Sequence, residues 1–217
     1  MSGKLPIVVF GAGGHALVVA DILVQMGQYH IVGFLDDVNH ERYGTKFAGV
    51  SILGGSSKLN DLRADGVAYA IVAIGHCATR ARIAEMLVLA GFGLVSAIHP
   101  RAYIAPNVEV GSGCVVAAQA AINPGCRLGA NVIVNTGATV DHECEIGAGA
   151  HIGPGVNLAG KVDVGERAWI GIGSCVSDHI SIGSDAFIGA GALVVRNIPA
   201  KMLAYGVPAR VIRKVNE

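Results

Sequence analysis

An aliphatic residue returns at every sixth position from Ile98 to Val194, and this period constrains the fold more than any other feature of the chain. The series runs Ile98, Ile104, Val110, Val116, Ile122, Leu128, Val134, Val140, Ile146, Ile152, Leu158, Val164, Ile170, Val176, Ile182, Ile188, Val194 without a slip. Four residues after each anchor stands a small or β-branched residue, as at Ala102, Cys114, Ala120, Cys126, Val132 and Cys144. Gly or Ala often follows the anchor directly, as at Gly111, Gly129, Gly147 and Gly165. A period of six matches neither the helical repeat nor strand alternation. It predicts a parallel β-helix in which each hexad supplies one short strand and one corner. The anchors fill the interior and stack on their equivalents in neighbouring coils. The corners need small or positive-φ residues, which accounts for the glycines.

Composition agrees with such a prism. Of the 217 residues, 52% are hydrophobic but only 5% aromatic, as expected for a narrow interior of Val, Ile, Leu, Ala and Cys. Sixteen basic residues balance sixteen acidic ones, so no field for a polyanion is present and nucleic acid is not expected as a partner. The five cysteines form no CxxC pair, and Cys114, Cys126 and Cys144 take the small interior position, where a free thiol packs as a small hydrophobe. An odd count without a secretion signal points to a reducing cytoplasm. No apolar run reaches the length of a membrane span, so no membrane association is expected.

Before the repeat, strands alternate with helices. Ile7–Phe10 reads as a buried parallel strand, followed by a helix carrying Leu17, Val18, Ile22 and Leu23. Ile31–Leu35, Val50–Leu53, Tyr69–Ile74 and Leu94–Ala97 read as further strands, with residues 38–49 as loop. Ser56 or Ser57 is placed to cap a short helix through Leu62, and Ile83, Met86, Leu87 and Leu89 mark a longer one. The alternation predicts a small parallel, Rossmann-like α/β domain over residues 1–97, and the β-helix with a C-terminal cap occupies 98–217.

Two groups of residues carry chemistry. Gly11, Gly13 and Ala16 satisfy a loose G-x-G-x-x-G/A pattern between strand and helix, and Asp36 and Asp37 end the second strand. Such a loop lets backbone N–H groups approach a phosphate at a helix N-terminus while a carboxylate holds a ribose or base. NAD and a nucleotide-sugar diphosphate both fit this pattern. His15 opens the helix, where it can donate to a phosphate or sugar hydroxyl or simply serve as a helix-start residue. The second group is Asp141-His142-Glu143-Cys144, with His151 further on. His142 stands two places after its anchor and should point outward. A carboxylate on one imidazole nitrogen fixes the tautomer and leaves the other nitrogen to accept a proton, as general-base catalysis requires.

The segments Val9-Phe10-Gly11-Ala12-Gly13-Gly14-His15, Phe34-Leu35-Asp36-Asp37, Ala73-Ile74-Gly75, Asn135-Thr136, Asp141-His142-Glu143-Cys144 and Gly206-Val207-Pro208-Ala209 together span nearly the full length. As a set they resemble the bacterial sugar acyltransferases that join a nucleotide-binding domain to a left-handed β-helix with three hexads per coil. These include the PglD-like and perosamine N-acetyltransferases of nucleotide-linked 4-amino-sugars and the NeuD-like sialic acid O-acetyltransferases. The resemblance implies His142 as base with Glu143 modulating it. It implies a nucleotide-sugar cradle of Gly13, Gly14, His15, Asp36, Asp37 and Gly75. Acetyl-CoA would meet His151 and backbone near Gly160, Ile172 and Ala190, the last standing where some relatives have glycine. It further implies acetyl-CoA as co-substrate with no metal, and a homotrimer with active sites between subunits.

Three other readings share the fold: acetylation of a sugar hydroxyl, a non-enzymatic nucleotide-sugar sensor, and a zinc hydratase with histidines on adjacent coils. Zinc ligands on equivalent positions two coils apart would be 36 residues apart, whereas His142 and His179 are 37 apart and positions 160 and 178 hold Gly and Asp. The zinc reading is therefore set aside.

Overall fold

The computed structural model describes residues 3–215. They fall into two compact units that divide after Pro100.

The first unit is built from β1 (Leu5–Phe10), α1 (Gly14–Met26), β2 (Tyr29–Leu35), β3 (Lys46–Phe47), β4 (Val50–Gly54), α2 (Leu59–Ala64), β5 (Tyr69–Val72), α3 (Cys77–Leu89) and β6 (Gly93–Leu94). The sheet order is β3-β4-β2-β1-β5-β6, parallel throughout except for the β3–β4 hairpin. Connections leave β1 to one side and return on the other, so the loops after β1 and β5 part at a topological switch point. One side of the sheet packs Val8, Phe10, Leu35, Ala70 and Val72 against Leu59, Leu62, Ile83, Ala84 and Leu87 of the helices. All but two of these ten residues are Val, Ile, Leu or Phe spaced by two on the strands or by three and four on the helices, as an apolar core demands.

Three local expectations change. Residues 38–49 are not all loop: a turn at His40–Arg42 precedes β3, whose Phe47 ring meets Phe34 edge-on at 4.9 Å. That aromatic contact holds the short edge strand in place. The strand expected over Leu94–Ala97 breaks into β6 and a separate Ala97–Ile98. Neither Ser56 nor Ser57 caps a helix. Gly55 starts a single 3₁₀ turn before α2, and the Ser56 N–H donates to the Asp37 carboxylate at 2.6 Å.

The second unit is a left-handed prism of two-residue strands. Face I carries Val115–Val116, Ile133–Val134, His151–Ile152, Trp169–Ile170 and Phe187–Ile188. Face II carries Tyr103–Ile104, Ala121–Ile122, Thr139–Val140, Asn157–Leu158, Cys175–Val176 and Leu193–Val194. Face III carries Glu109–Val110, Arg127–Leu128, Glu145–Ile146, Asp163–Val164 and Ser181–Ile182. Each strand pairs in parallel with its equivalent eighteen residues on, as Thr139↔Asn157 and Val140↔Leu158 show.

The corners divide their needs between two positions. Positive φ falls three residues after the anchor, at Glu143, Lys161 and His179 as well as at Gly125 and Gly137. The glycine directly after an anchor serves close approach instead. A Cβ on Gly129 or Gly147 would lie 2.6 Å from a backbone nitrogen of the next coil. Inside, small polar atoms tie the coils together: the thiols of Cys114, Cys126 and Cys144 and the Ser174 hydroxyl each donate to the carbonyl fifteen residues ahead, at 3.2, 2.9, 3.2 and 3.0 Å. The chain ends in a hairpin, Met202–Gly206 with Ala209–Lys214, whose first strand pairs with Phe187–Ile188. The new outer edge bears Arg210, Arg213 and Lys214, charges that discourage further strand addition.

Candidate active site

In the first unit, the loops after β1, β2, β4 and β5 gather at the carboxyl edge of the sheet. Gly11 makes the first turn possible: its φ is +120°, and a Cβ there would lie 2.7 Å from the Ala73 carbonyl oxygen. Gly13 and Gly14 follow, exposed and with open space around them, at the N-terminus of α1. No side chain caps that end, where the positive end of the helix dipole suits an anion. His15 lies just inside. Burial, and after it the Arg80 guanidinium, push its pKa down to about 4, so the imidazole is neutral at pH 7.

Asp36 and Asp37 are adjacent in sequence but placed differently. Asp36 is buried, and its carboxylate accepts the Val38 and Asn39 N–H groups at 2.9 and 3.2 Å and the Asn39 side-chain amide at 2.9 Å. Burial would raise its pKa, but these bonds and Arg42 hold the carboxyl below its ordinary value. Asp37 is exposed and reaches across to β4. A Cβ on Gly55 would collide with its carboxylate and come within 2.9 Å of the Tyr43 hydroxyl. Arg42 ties the two loops together by donating to the Ala12 carbonyl at 2.9 Å. After β5, the Gly75 carbonyl accepts from Arg80 at 2.6 Å and that of Ile74 at 3.1 Å. Arg80 and Arg42, absent from the expected site, thus hold two of its loops. Arg80 carried a signal: it falls on the stripe Cys77, Arg80, Ile83, Ala84, Leu87 that α3 buries.

In the second unit, His142 and Glu143 occupy the corner between faces II and III. His142 Nδ1 stands 3.1 Å from Glu143 Oε2. A carboxylate only accepts, so the imidazole proton sits on Nδ1 and the Nε2 lone pair is left to take another. Both side chains are about half exposed, at 52% and 58%, so a ligand can reach them. The preceding carboxylate sets the backbone. Asp141 accepts the Asn123 amide at 2.9 Å and the His142 N–H at 2.8 Å, in that order the causes that lower its pKa. From the next coil, Lys161 brings its ammonium 3.7 Å from the same Glu143 oxygen. Lys161 lies eighteen residues after Glu143, so the repeat itself could have pointed to it.

The residues expected at acetyl-CoA separate into two groups. Gly160 lies on the His142 corner. His151 lies on face I, opposite that corner, with Ile172 and Ala190 on the corner between faces I and II. His151 is buried, its ring 4.0 Å from that of Trp169 and its Nε2 3.4 Å from the Asn135 amide. One chain therefore does not bring His142 and His151 together. Among the described residues, no group of three His, Cys, Asp or Glu side chains is arranged to hold a metal.

Residues 6–87 match the PglD N-terminal domain family. PerB from Caulobacter crescentus, crystallised with CoA and GDP-perosamine, shares 40% identity over 97% of both chains with a TM-score of 0.91. The chain belongs to the sugar N-acetyltransferase family. The acetyltransferase domain of PglB from Neisseria gonorrhoeae, solved with acetyl coenzyme A, is 38% identical over 97% of this chain and 100% of that one, with a TM-score of 0.90. WeeI from Acinetobacter baumannii, 23% identical over 96% of this chain and 100% of its own, shares the fold with a TM-score of 0.83. Forms of the C. crescentus acetyltransferase with a histidine replaced by asparagine or alanine also hold CoA and GDP-perosamine. No curated protein matches the chain. No described helix is long and apolar enough to cross a membrane.

Proposed function

We propose that this enzyme transfers the acetyl group of acetyl-CoA to the 4-amino group of a nucleotide-linked 4-amino-4,6-dideoxyhexose, with GDP-perosamine as its first acceptor to test. The observation that carries this reading is the His142–Glu143 pair, whose geometry leaves Nε2 as an accessible proton acceptor. The sugar amine attacks the thioester carbonyl carbon and Nε2 takes its proton as the N–C bond forms. Collapse of the tetrahedral intermediate breaks the C–S bond, and the departing thiolate takes the proton back from the imidazolium. The loops bearing Gly13, Gly14, His15, Asp37 and Gly75 bind the nucleotide, with Asp36 shaping its own loop. His151, Ile172 and Ala190 meet acetyl-CoA.

The working form is a homotrimer, because His142 and His151 on opposite sides of one prism serve one acetyl group only when neighbouring subunits supply them. Five free cysteines favour a reducing compartment such as the cytoplasm.

A thiol-release assay against GDP- and UDP-linked amino-sugars, with hydroxyl analogues as controls, tests the acceptor. His142→Ala and His142→Asn should lower kcat by about two to four orders of magnitude while both substrates still bind. Glu143→Gln should cost less, since its amide oxygen still accepts Nδ1–H. A folded, trimeric His142→Ala enzyme with near-wild-type kcat would show that the base lies elsewhere.

A further inference from the structure

From Pro106 to Ala190, the position two after the anchor carries a side chain in every hexad except one, and that one is Gly160. Proline occupies it at Pro124 and Pro154, and Ile172, Asp178 and Glu166 fill it elsewhere. The backbone there makes no demand for glycine: φ at Gly160 lies outside the left-handed region. The reason for glycine stands one coil below. A Cβ on Gly160 would come 2.5 Å from His142 Nε2, 2.6 Å from Cε1 and 3.1 Å from Cδ2. The imidazole lies across the bare backbone of the next coil, and its other edge meets Glu143. Glu143 rests similarly over Gly125, where a Cβ would meet its Cγ at 3.2 Å.

We infer that Gly160 is a positioning residue: its missing side chain is the clearance that lets His142 lie where Nδ1 meets Glu143 and Nε2 faces the reacting amine. This rests on the reading of His142 as the base. A methyl group at 160 would displace the ring, and because that ring is half exposed it can swing into solvent without strain on the coil. Loss of rate with little loss of stability is the signature. A purely structural glycine would produce the reverse.

The experiment is a double-mutant cycle with acetyl-CoA and GDP-perosamine, comparing wild type, Gly160→Ala, His142→Ala and the double variant. Gly160→Ala should melt within about 2 °C of wild type. Its kcat should fall about tenfold or more, with the acetyl-CoA KM changed by less than about threefold. In the His142→Ala background the same substitution should change kcat by less than about twofold, because the ring it acts through is gone. Wild-type kcat in Gly160→Ala would overturn the inference. So would an undiminished further loss in the His142→Ala background, which would assign Gly160 an independent contact with acetyl-CoA. Failure of Gly160→Ala to fold would also count against it, since the nearest obstructing atoms belong to a half-exposed ring that is free to move. Near-wild-type kcat in His142→Ala alone would instead remove the general-base reading beneath it.

Discussion

The Asp36 carboxylate accepts from three groups of its own loop, so replacing it disturbs the loop before it disturbs a ligand. Asp36→Ala should lower unfolding free energy by about 1–3 kcal/mol, the cost of orphaned buried donors, whereas exposed Asp37→Ala should cost less and act mainly on acceptor KM. Because the folded state holds Asp36 below its ordinary value, its contribution is present at neutral pH and is lost as pH falls through that lowered value. Denaturant titration of both variants at pH 7 and in acid checks the order. Equal destabilisation would place the two carboxylates in equivalent roles. Adjacent aspartates at a strand end look alike in a sequence, and only the fold shows that one turns inward and the other crosses to β4. His142 was legible because its acidic neighbours are local. Lys161 and Arg80 left a fainter trace, in the eighteen-residue repeat and in the stripe that α3 buries, since each acts across a coil or beneath a loop.

Helix α1 begins at the glycine pair Gly13-Gly14, without a side-chain cap, and places a neutral histidine behind it. His15 has a folded pKa depressed to about 4 from the ordinary 6.5, so between these values the unfolded chain binds more protons than the folded one. Stability should therefore fall as pH drops from 6.5 towards 4, and this contribution changes no further below that. In His15→Gln the stability slope across this window should be shallower, as read from denaturation midpoints at several pH values. An unchanged slope would mean that His15 does not titrate there. Most elements of the α/β unit were legible from their apolar runs and glycine punctuation. The exceptions were short pieces decided by tertiary contact: β3, fixed by Phe47 against Phe34, and the 3₁₀ turn fixed by Asp37. In the prism the period gave the coils, while the separate duties of the two corner positions emerge only once neighbouring coils are stacked.

Of the two units, the second repeats one hexad on three faces, and its chemistry departs from that symmetry at a few places. The six-residue period specified the prism because every hexad agrees, but it is indifferent to which side chains meet across a subunit boundary. His142 and His151 are nine residues apart, half a coil, which is the largest separation around a single coil of the prism. If each active site draws one histidine from each of two neighbours, two crippled populations can repair one another. His142→Ala and His151→Ala subunits should each be nearly inactive alone. Unfolded together, mixed in equal amounts and refolded, they assort at random, and about one interface in four then pairs an intact His142 with an intact His151. Activity of the mixture should rise towards about a quarter of wild type. Mixing without subunit exchange should restore nothing, and a reassorted mixture that stays inactive would place both histidines' work within a single chain.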